Sequence, residues 1–383
     1  MVSRIATTKA TLSDIARRAG VSTATASRVL NGSGRASAEA KAAIFAAASE
    51  LGYRRADVID TPVAHPEELV EVVWHWHTPY DTVSIGATGA VDVGATVAVD
   101  PGAGNSARFG HSFFQDILNG ILGELSRRGR TAAVRMCHDL LDARFLADLN
   151  GPGHIGAILF GEYPADAARF ADGCRVPLIL ADQDVDVGAD VVAIDNVSGV
   201  LAVVDHLAAL GHRRIGFVGG TADNPSFRRR RRAWTWRMLE RGLPVRVEWT
   251  AECLGEIAAA EAAARAILAP ARRPTAIVCA NDNFALAVYR AASALGLAIP
   301  GDLSITGFDD IDLAALLSPP LTTVAVPAVQ IGRIAVRQLL SRIDAPPRAG
   351  EPATRTLVRT RFLPRGSTGP APAHPIKTRK KQP

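Results

Sequence analysis

Residues 11–32 read TLSDIARRAGVSTATASRVLNG, a pattern that predicts two short helices joined by a tight turn. Thr11 and Asp14 have the spacing of a capping box, in which each side chain bonds the backbone amide of the other residue. Gly20 suits the positive φ at which many helices end, and Ser22 is a good N-cap for the second helix. The stretch therefore predicts a helix-turn-helix.

The residues alone leave two interpretations of this head open. The second helix carries small hydroxyl residues and one arginine, Arg28, and such side chains suit phosphates, base edges and guanine in the major groove of DNA. A third helix, capped by Ser37, would bury Ile44, Ala48 and Leu51 on one face. A plain three-helix bundle without a DNA function would show the same pattern.

The chain of 383 residues has a formal net charge of +5, and this charge is unevenly placed. Residues 1–60 hold nine Lys/Arg against five Asp/Glu, residues 365–383 hold five Lys/Arg and no acid, and the part between them is net acidic. A basic head on an acidic body is typical of a protein whose head binds a polyanion. Ordinary scatter of charge is the alternative.

Composition argues against several classes of protein. Hydrophobic residues make up 48% and charged residues 21%, as in a globular chain with a sizeable core. The apolar runs are shorter than the roughly 20 residues that cross a bilayer, and the first residues do not resemble a signal peptide. We therefore expect a protein of the reducing cytoplasm, at the nucleoid, without a membrane partner, metal site or cofactor. The cysteines lie far apart, at Cys137, Cys174, Cys253 and Cys279.

From Phe113 onward, helices alternate with short apolar strands, which is typical of parallel sheets covered by helices in two lobes. We take 70–76 rather than 95–99 as the first strand of the core, which places an insertion at about 77–111 near the mouth of a cleft. The other predicted strands are 131–136, 155–160, 177–181, 214–218, 275–279 and 303–306. The predicted helices are 113–128, 142–149, 165–172, 197–210, 229–241, 257–268, 283–295 and 327–342.

Three domains follow from this organisation. Residues 1–60 form an all-α helix-turn-helix domain, and residues 61–366 form a two-lobed α/β domain with parallel sheets that binds an effector and dimerises. Residues 367–383 are rich in proline and basic residues, and they are predicted to form a disordered tail.

The head resembles the headpiece of the LacI-type repressor family. The similarity lies in TLSDIARRAGVS at 11–22, TASRVLNG at 25–32 and ELGY at 50–53. By this resemblance Thr23 and Ala24 are the main base-reading residues, and Arg28 is the third. The other DNA-binding residues, which hold phosphates or begin the first helix, are Ser22, Thr25, Ser27, Asn31 and Thr11. The family's hinge pattern is absent from 54–60, which read RRADVID, so no leucine wedge in the minor groove is expected.

The body resembles the family's core, which is similar to the periplasmic sugar-binding fold. The similar stretches are 206–220, 274–287, 295–310 and 318–324. Asp282 follows a predicted strand at the edge where open α/β sheets bind ligands, and its carboxylate suits sugar hydroxyls. Capping of the next helix is the alternative role of this aspartate. By resemblance the effector-binding residues are Asp282, Arg230, Asp182, Phe114 and Trp76.

Several of these positions have alternatives. Arg230 lies in a run of five arginines, so its neighbours on either side could hold the position instead, and we expect it to face Asp282 across the cleft. Asp309 and Asp310, in the turn GFDD, are interpreted as turn-forming rather than ligand-binding. Trp76 lies in WHWH at 74–77, where an aromatic pocket wall or plain core is favoured over a metal site formed by two histidines.

These features predict a DNA-binding transcription regulator, and they provide no catalytic constellation for an enzyme. We expect a homodimeric repressor that binds near-palindromic operator DNA and changes its DNA affinity on binding a small polar effector, in particular a carbohydrate. One alternative is a sugar-binding protein without a DNA function, which the head opposes. The other is a ligand-independent DNA-binding regulator whose insertion fills the cleft.

Overall fold

The structure is a computed structural model that describes residues 11–30, 40, 43–44, 47, 68–75, 97–98, 112–162, 166–183, 185–253, 257–347 and 350–373. The helices are α1 (Leu12–Arg18), α2 (Thr23–Leu30), α3 (Ser112–Arg127), α4 (Ala143–Leu149), α5 (Ala167–Gly173), α6 (Ser198–Ala209), α7 (Pro225–Glu240), α8 (Ile257–Leu268), α9 (Asp282–Ala294), α10 (Asp312–Leu316) and α11 (Ala328–Asp344). The strands are β1 (Leu69–His75), β2 (Val97–Ala98), β3 (Thr131–Cys137), β4 (His154–Gly161), β5 (Leu178–Ala181), β6 (Asp190–Ile194), β7 (Ile215–Gly220), β8 (Thr250–Cys253), β9 (Ala276–Cys279), β10 (Ser304–Thr306), β11 (Thr323–Ala325), β12 (Arg355–Val358) and β13 (Arg361–Leu363).

The first lobe is built on a seven-stranded sheet in the order β12-β6-β5-β4-β1-β3-β2. Every residue of β1 is buried, and β1 pairs in parallel with β3 and β4, which confirms it as the first strand of the core. The alternative strand, at 95–99, contains β2, which joins the outer edge of the sheet antiparallel to β3. Other residues of the predicted insertion lie outside the described residues.

Helices cover both faces of this sheet, and α3 and α11 approach each other closely on one of them. A Cβ on Gly120 would overlap the carbonyl oxygen of Val329, and a Cβ on Gly332 would overlap that of Ile117. Only glycine permits backbones to pass so near each other. On the opposite face Phe145 of α4 and Phe170 of α5 form a second apolar cluster.

The second lobe is built on a parallel sheet in the order β10-β9-β7-β8. The chain passes between the lobes at three places, which are the connections from β6 to α6, from β11 to α11 and from β12 to β13. Strands β11 and β13 pair antiparallel with each other at these crossings. Two parallel sheets with helices on their faces confirm the predicted fold class.

Residues that follow β13 pack into the second lobe, which corrects the predicted start of the tail at 367. Ser367 is fully buried and donates a hydrogen bond of 2.6 Å to the carbonyl oxygen of Ile305. The amide of Ala371 donates to the carbonyl oxygen of Leu210 at 2.9 Å. These hydrogen bonds satisfy buried backbone carbonyl groups of the second lobe. Composition alone, which is rich in proline and basic residues here, does not predict such contacts. Residues 374–383 lie outside the described residues, and within the described part no helix has the length and apolarity needed to span a membrane.

Candidate DNA-binding helices and effector site

The first helix of the head begins as the sequence predicts. The Thr11 hydroxyl accepts a hydrogen bond from the amide of Asp14 at 3.3 Å, and the Thr11 amide donates to the Asp14 carboxylate at 2.9 Å. This capping box satisfies backbone groups that the first turn leaves unpaired. Gly20 ends the helix with φ +67°, the conformation for which glycine was expected.

The second helix, α2, begins at a serine cap. The Ser22 hydroxyl accepts a hydrogen bond from the amide of Thr25 at 3.1 Å. Ser22 and Thr23 are exposed, whereas Thr25 and Ser27 are half-buried, so hydroxyl groups lie at the solvent side of the start of the helix. This position suits phosphate contacts. The other predicted DNA contacts, the side chains of Ala24 and Arg28 and all of Asn31, lie outside the described residues.

In the second lobe, α7 carries one deeply buried guanidinium. Arg230 is 3% exposed, and its Nε donates to Oδ1 of Asn196 at 2.7 Å. Its Nη1 donates to the carbonyl oxygen of Ala280 at 2.6 Å and to Oδ1 of Asp309 at 3.2 Å. Among the described residues, Nη2 of this arginine has no hydrogen-bond partner. The guanidinium lies over the ring of Phe308, 3.6 Å from its centroid.

These contacts show which of the five consecutive arginines is buried. Arg230 is the buried member, and the ring of Phe308 and three oxygen acceptors hold it in place. Arg231 is 40% exposed and pairs with Glu252, and Arg232 is exposed. The structure therefore places Arg230, and not Arg231, in the wall of the lobe.

Asp309 is the carboxylate beside this guanidinium. Its φ is +108° and that of Asp310 is +60°, so both residues do form a strained turn, as expected. The Asp309 side chain is 12% exposed, and burial raises the pKa of its carboxyl to about 6, against the lowering effect of Arg230. Asp309 therefore belongs to the candidate site, which the interpretation as a turn alone missed.

Asp282 lies in the same lobe as Arg230, at the start of α9, and this corrects the expectation that the two face each other across a cleft. Its Oδ1 accepts a hydrogen bond from the Thr323 hydroxyl at 2.6 Å, and its Oδ2 accepts one from the amide of Ile311 at 2.9 Å. Burial and the nearby Asp309 raise the pKa of Asp282 to about 7. The cap of α9 is Asn281, not Asp282.

The first lobe contributes fewer of the predicted residues. Asp182 follows β5 with φ +58° and is 6% exposed. Phe114, at the start of α3, packs against Trp74 with ring centroids 6.4 Å apart. Both residues lie at the ends of elements that face the cleft in an open α/β sheet. Trp76 and His77 lie outside the described residues, and within the described part no cluster of three metal-ligating side chains occurs.

One further residue of the site, Asn196, was missed in the sequence. It is 2% exposed, accepts from Arg230 and donates to the Ser226 hydroxyl at 3.0 Å. It follows β6, a five-residue strand that the sequence analysis did not predict. The signal that could have found it is the apolar run VVAI at 191–194, directly before Asp195 and Asn196.

Known proteins share both the head and the body of this chain. Residues 11–56 match the family model of bacterial regulatory proteins of the lacI family, and residues 204–368 match the periplasmic binding protein-like domain. The HTH-type transcriptional regulator reg1 of Streptomyces lividans is 32% identical over 375 residues, which are 94% of this chain and 97% of the relative. The chain belongs to the lacI family of bacterial regulatory proteins.

Two other proteins similar to this lacI-family regulator carry a sugar in their names. The ribose operon repressor of Haemophilus influenzae is 28% identical over 340 residues, covering 88% of this chain and 93% of the relative. A solved structure of the transcriptional regulator CelR in complex with cellobiose has a TM-score of 0.64 and 25% identity, covering 94% of this chain and 100% of that chain. Family membership makes the lacI-family regulator a DNA-binding transcription regulator.

Proposed function

We propose that this regulator is a homodimeric, cytoplasmic repressor of near-palindromic operators whose DNA affinity responds to a carbohydrate. The effector lies between the two lobes, against Arg230 and Asp309. Asp182 and Phe114 form the facing wall, and Asp282 lies behind Asp309. Relatives named for ribose and cellobiose support a sugar as the class of effector.

One observation carries this proposal: the buried guanidinium has open donors next to an open acceptor. Nη2 of Arg230 and Oδ2 of Asp309 both lack hydrogen-bond partners among the described residues. Neither atom is among the fully buried unpartnered atoms, so both remain accessible from outside the lobe and can pair with a polar ligand. A sugar hydroxyl accepts from the guanidinium and donates to the carboxylate at the same time, which an apolar molecule cannot do.

Binding of sugars tests the effector. We expect calorimetric titration with a panel that includes ribose and cellobiose to show saturable binding of at least one sugar. Arg230→Ala should weaken that binding by about 100-fold, because charge-assisted hydrogen bonds of about 1.5–3 kcal/mol each are lost. Arg232→Ala is the matched control, since it removes an exposed arginine of the same helix, and it should retain wild-type affinity.

Operator titrations test the DNA function. Anisotropy with a near-palindromic duplex selected by the wild type should show binding that weakens steeply with salt, because Lys and Arg contacts release counterions. Arg230→Ala should bind this duplex as the wild type does, but should lose the response to sugar. If no sugar binds while operator binding is intact, the ligand-independent regulator is the better description.

A further inference from the structure

Several arginines of the first lobe gather around one buried carboxylate at the end of α3. Glu124 is 2% exposed and pairs with three arginines, which are Arg127, Arg128 and Arg337. Nε of Arg337 donates to Oε1 of Glu124 at 2.9 Å, and this arginine comes from the neighbouring helix, α11. We call the three arginines the arginine cluster.

The cluster has more positive charge than its carboxylate neutralises. Between 51% and 54% of each arginine side chain is exposed, whereas only 3% of the Glu124 side chain is. The guanidinium groups therefore face solvent with the carboxylate beneath them, and the four side chains have a formal net charge of +2. The C-terminal end of a helix attracts cations, which accounts for Arg127. It does not account for Arg337, which lies in the middle of α11.

The cluster lies at the edge of the first sheet where the chain enters the body. Arg130, in the same loop before β3, pairs with Glu68, the residue directly before β1. In the register of the two strands, Leu69 of β1 lies beside Thr131 of β3. The loop 126–130 and the start of β1 are therefore neighbours.

The connection to the head makes this edge the side of the body that bound DNA can approach. Residues 11–56 match the lacI family model, so residues 57–68 connect the head to β1 and span at most about 45 Å. The amino edge of the second sheet points the other way, because the crossings join the lobes near the carboxyl ends of the two sheets. A duplex held by the head is thus tethered to the edge that carries the arginine cluster.

We propose that the arginine cluster is a second DNA-binding surface, which contacts backbone phosphates of the duplex that the head reads. Guanidinium groups bind phosphate oxygens through paired, charge-assisted hydrogen bonds, and DNA presents phosphates on every sequence. The family's hinge pattern is absent from 54–60, and the cluster supplies a contact from the body to the DNA in its place. The inference rests on the DNA-binding function alone, and it needs neither the sugar nor the near-palindromic operator of the proposed function.

The chain offers substitutions that separate local charge from overall charge. Arg127→Ala/Arg128→Ala removes two positive charges from the cluster. Arg213→Ala/Arg272→Ala is the control, because it removes two exposed charges from the loops before β7 and β9, at the amino edge of the second sheet. Arg127→Lys/Arg128→Lys keeps both charges, so rescue by lysine distinguishes a phosphate contact from a role of these side chains in packing.

Anisotropy titrations of the full-length protein test the cluster on two duplexes, the operator selected by the wild type and an unrelated sequence of the same length. Between about 50 and 200 mM KCl, the plot of log Kd against log salt should be flatter by about 1.8 or more in the cluster alanine variant, because each lost phosphate contact removes about 0.9. At the lowest salt this variant should bind both duplexes at least about tenfold more weakly. The ratio of the two Kd values should stay constant, since phosphate contacts carry no sequence information.

The other variants decide whether the effect is local. The control and the lysine variant should stay within about threefold of the wild type on both duplexes. Arg337→Ala, on the other helix, should flatten the salt dependence by at least about 0.9. Unchanged Kd and salt dependence in the cluster alanine variant would overturn the proposal, and so would an equal loss in the control.

Hydroxyl-radical footprinting of the operator locates the contact. The wild type should protect backbone positions outside the bases that the head reads, and the cluster alanine variant should lose protection only there. If the wild type prefers no sequence, the proposed operator fails, and the salt dependence on the unrelated duplex still decides whether the cluster binds DNA.

Discussion

Two arginine–aspartate pairs, one in each lobe, differ in how many of their polar atoms are engaged inside the protein. In the first lobe, Nε and Nη2 of Arg342 bind the two oxygens of Asp190 at 2.6 and 3.0 Å, and the amide of Thr354 donates to the same carboxylate. The third nitrogen, Nη1, binds Glu351. We call this the closed pair, because both carboxylate oxygens and all three guanidinium nitrogens have partners.

The second lobe holds the open pair, Arg230 and Asp309, which share one contact of 3.2 Å. The environment of the open pair also shifts the pKa of its aspartate in the direction opposite to that of the closed pair. Hydrogen bonds from Arg342 and Thr354 outweigh burial and lower the pKa of Asp190, whereas burial outweighs Arg230 and raises that of Asp309. An ion pair whose polar atoms all have partners within the protein stabilises the fold. An ion pair with polar atoms that lack protein partners is suited to binding a ligand.

The largest expected effect concerns the closed pair. Asp190→Ala should lower the free energy of unfolding by about 3 kcal/mol, because it leaves a largely buried guanidinium without its main partner. Asp166→Ala, which breaks an exposed pair with Arg169, is the control and should cost less than about 1 kcal/mol. Urea unfolding measures both. Similar losses in the two variants would remove the distinction between closed and exposed pairs.

The open pair should respond to substitution in affinity rather than in stability. Asp309→Asn keeps an oxygen for Arg230 and replaces the open acceptor with a donor. We expect the sugar Kd to rise about 10- to 100-fold, through the loss of roughly 1.5–3 kcal/mol of charge-assisted bonding. The midpoint of urea unfolding should stay close to that of the wild type. A loss of stability as large as that of Asp190→Ala would make the open pair structural too.

The raised pKa values of Asp309 and of the neighbouring Asp282 should determine how stability changes with pH. Asp282 titrates at about 7 and Asp309 at about 6 in the folded state, above the unfolded value of 3.8, so the folded protein holds more protons between these limits. The free energy of unfolding should therefore fall as pH rises from about 4 to about 7, by at most roughly 1.4 kcal/mol per pH unit for each group. Thermal unfolding of Asp282→Asn should show a flatter profile; an unchanged slope would contradict this assignment.

The smallest loss of stability is expected where a buried carboxylate pairs with more than one arginine. Glu124 on α3 is 2% exposed and pairs with Arg337, Arg127 and Arg128. Hydrogen bonds from Arg337 and Arg127 lower the pKa of its carboxyl to about 2. Arg337→Ala leaves two of these arginines in place, so the melting temperature should fall by about 1 °C or less. A shift of several degrees would mean that Arg337 is not replaceable by its neighbours.

Local signals were sufficient for the two helices of the helix-turn-helix and for most of the helices of the body, while most of the predicted third helix of the head lies outside the described residues. The capping box of Thr11 and the positive φ of Gly20 depend on residues within four positions, so the sequence predicts them directly. Strand β1 is an apolar run apart from Glu71 and the terminal His75, and this run marks a strand buried on both faces. The helix predicted at 257–268 has the bounds of α8.

Local sequence signals could not predict which residues contact Arg230 in the effector site. Asp309 and Asn196 acquire their roles from Arg230, which lies 79 and 34 residues away along the chain, respectively. The expectation that Asp282 faces Arg230 across a cleft failed because both residues follow strands of the same parallel sheet. Short strands such as β12 were missed since their pairing with β6 is set by the distant crossings.

The order of strands has a consequence for synthesis on the ribosome. The first lobe begins with β1, but its sheet also needs β12, and its face needs α11. Both are translated after the last strand of the other sheet, β10. A nascent chain that ends near 320 holds every strand of the second sheet, while the first sheet lacks its outer strand and one covering helix. Apolar side chains of β4 and β5 such as Ile158 and Ile179 are then left without that helix, so the lobe that starts first is completed last and exposes apolar surface for longest.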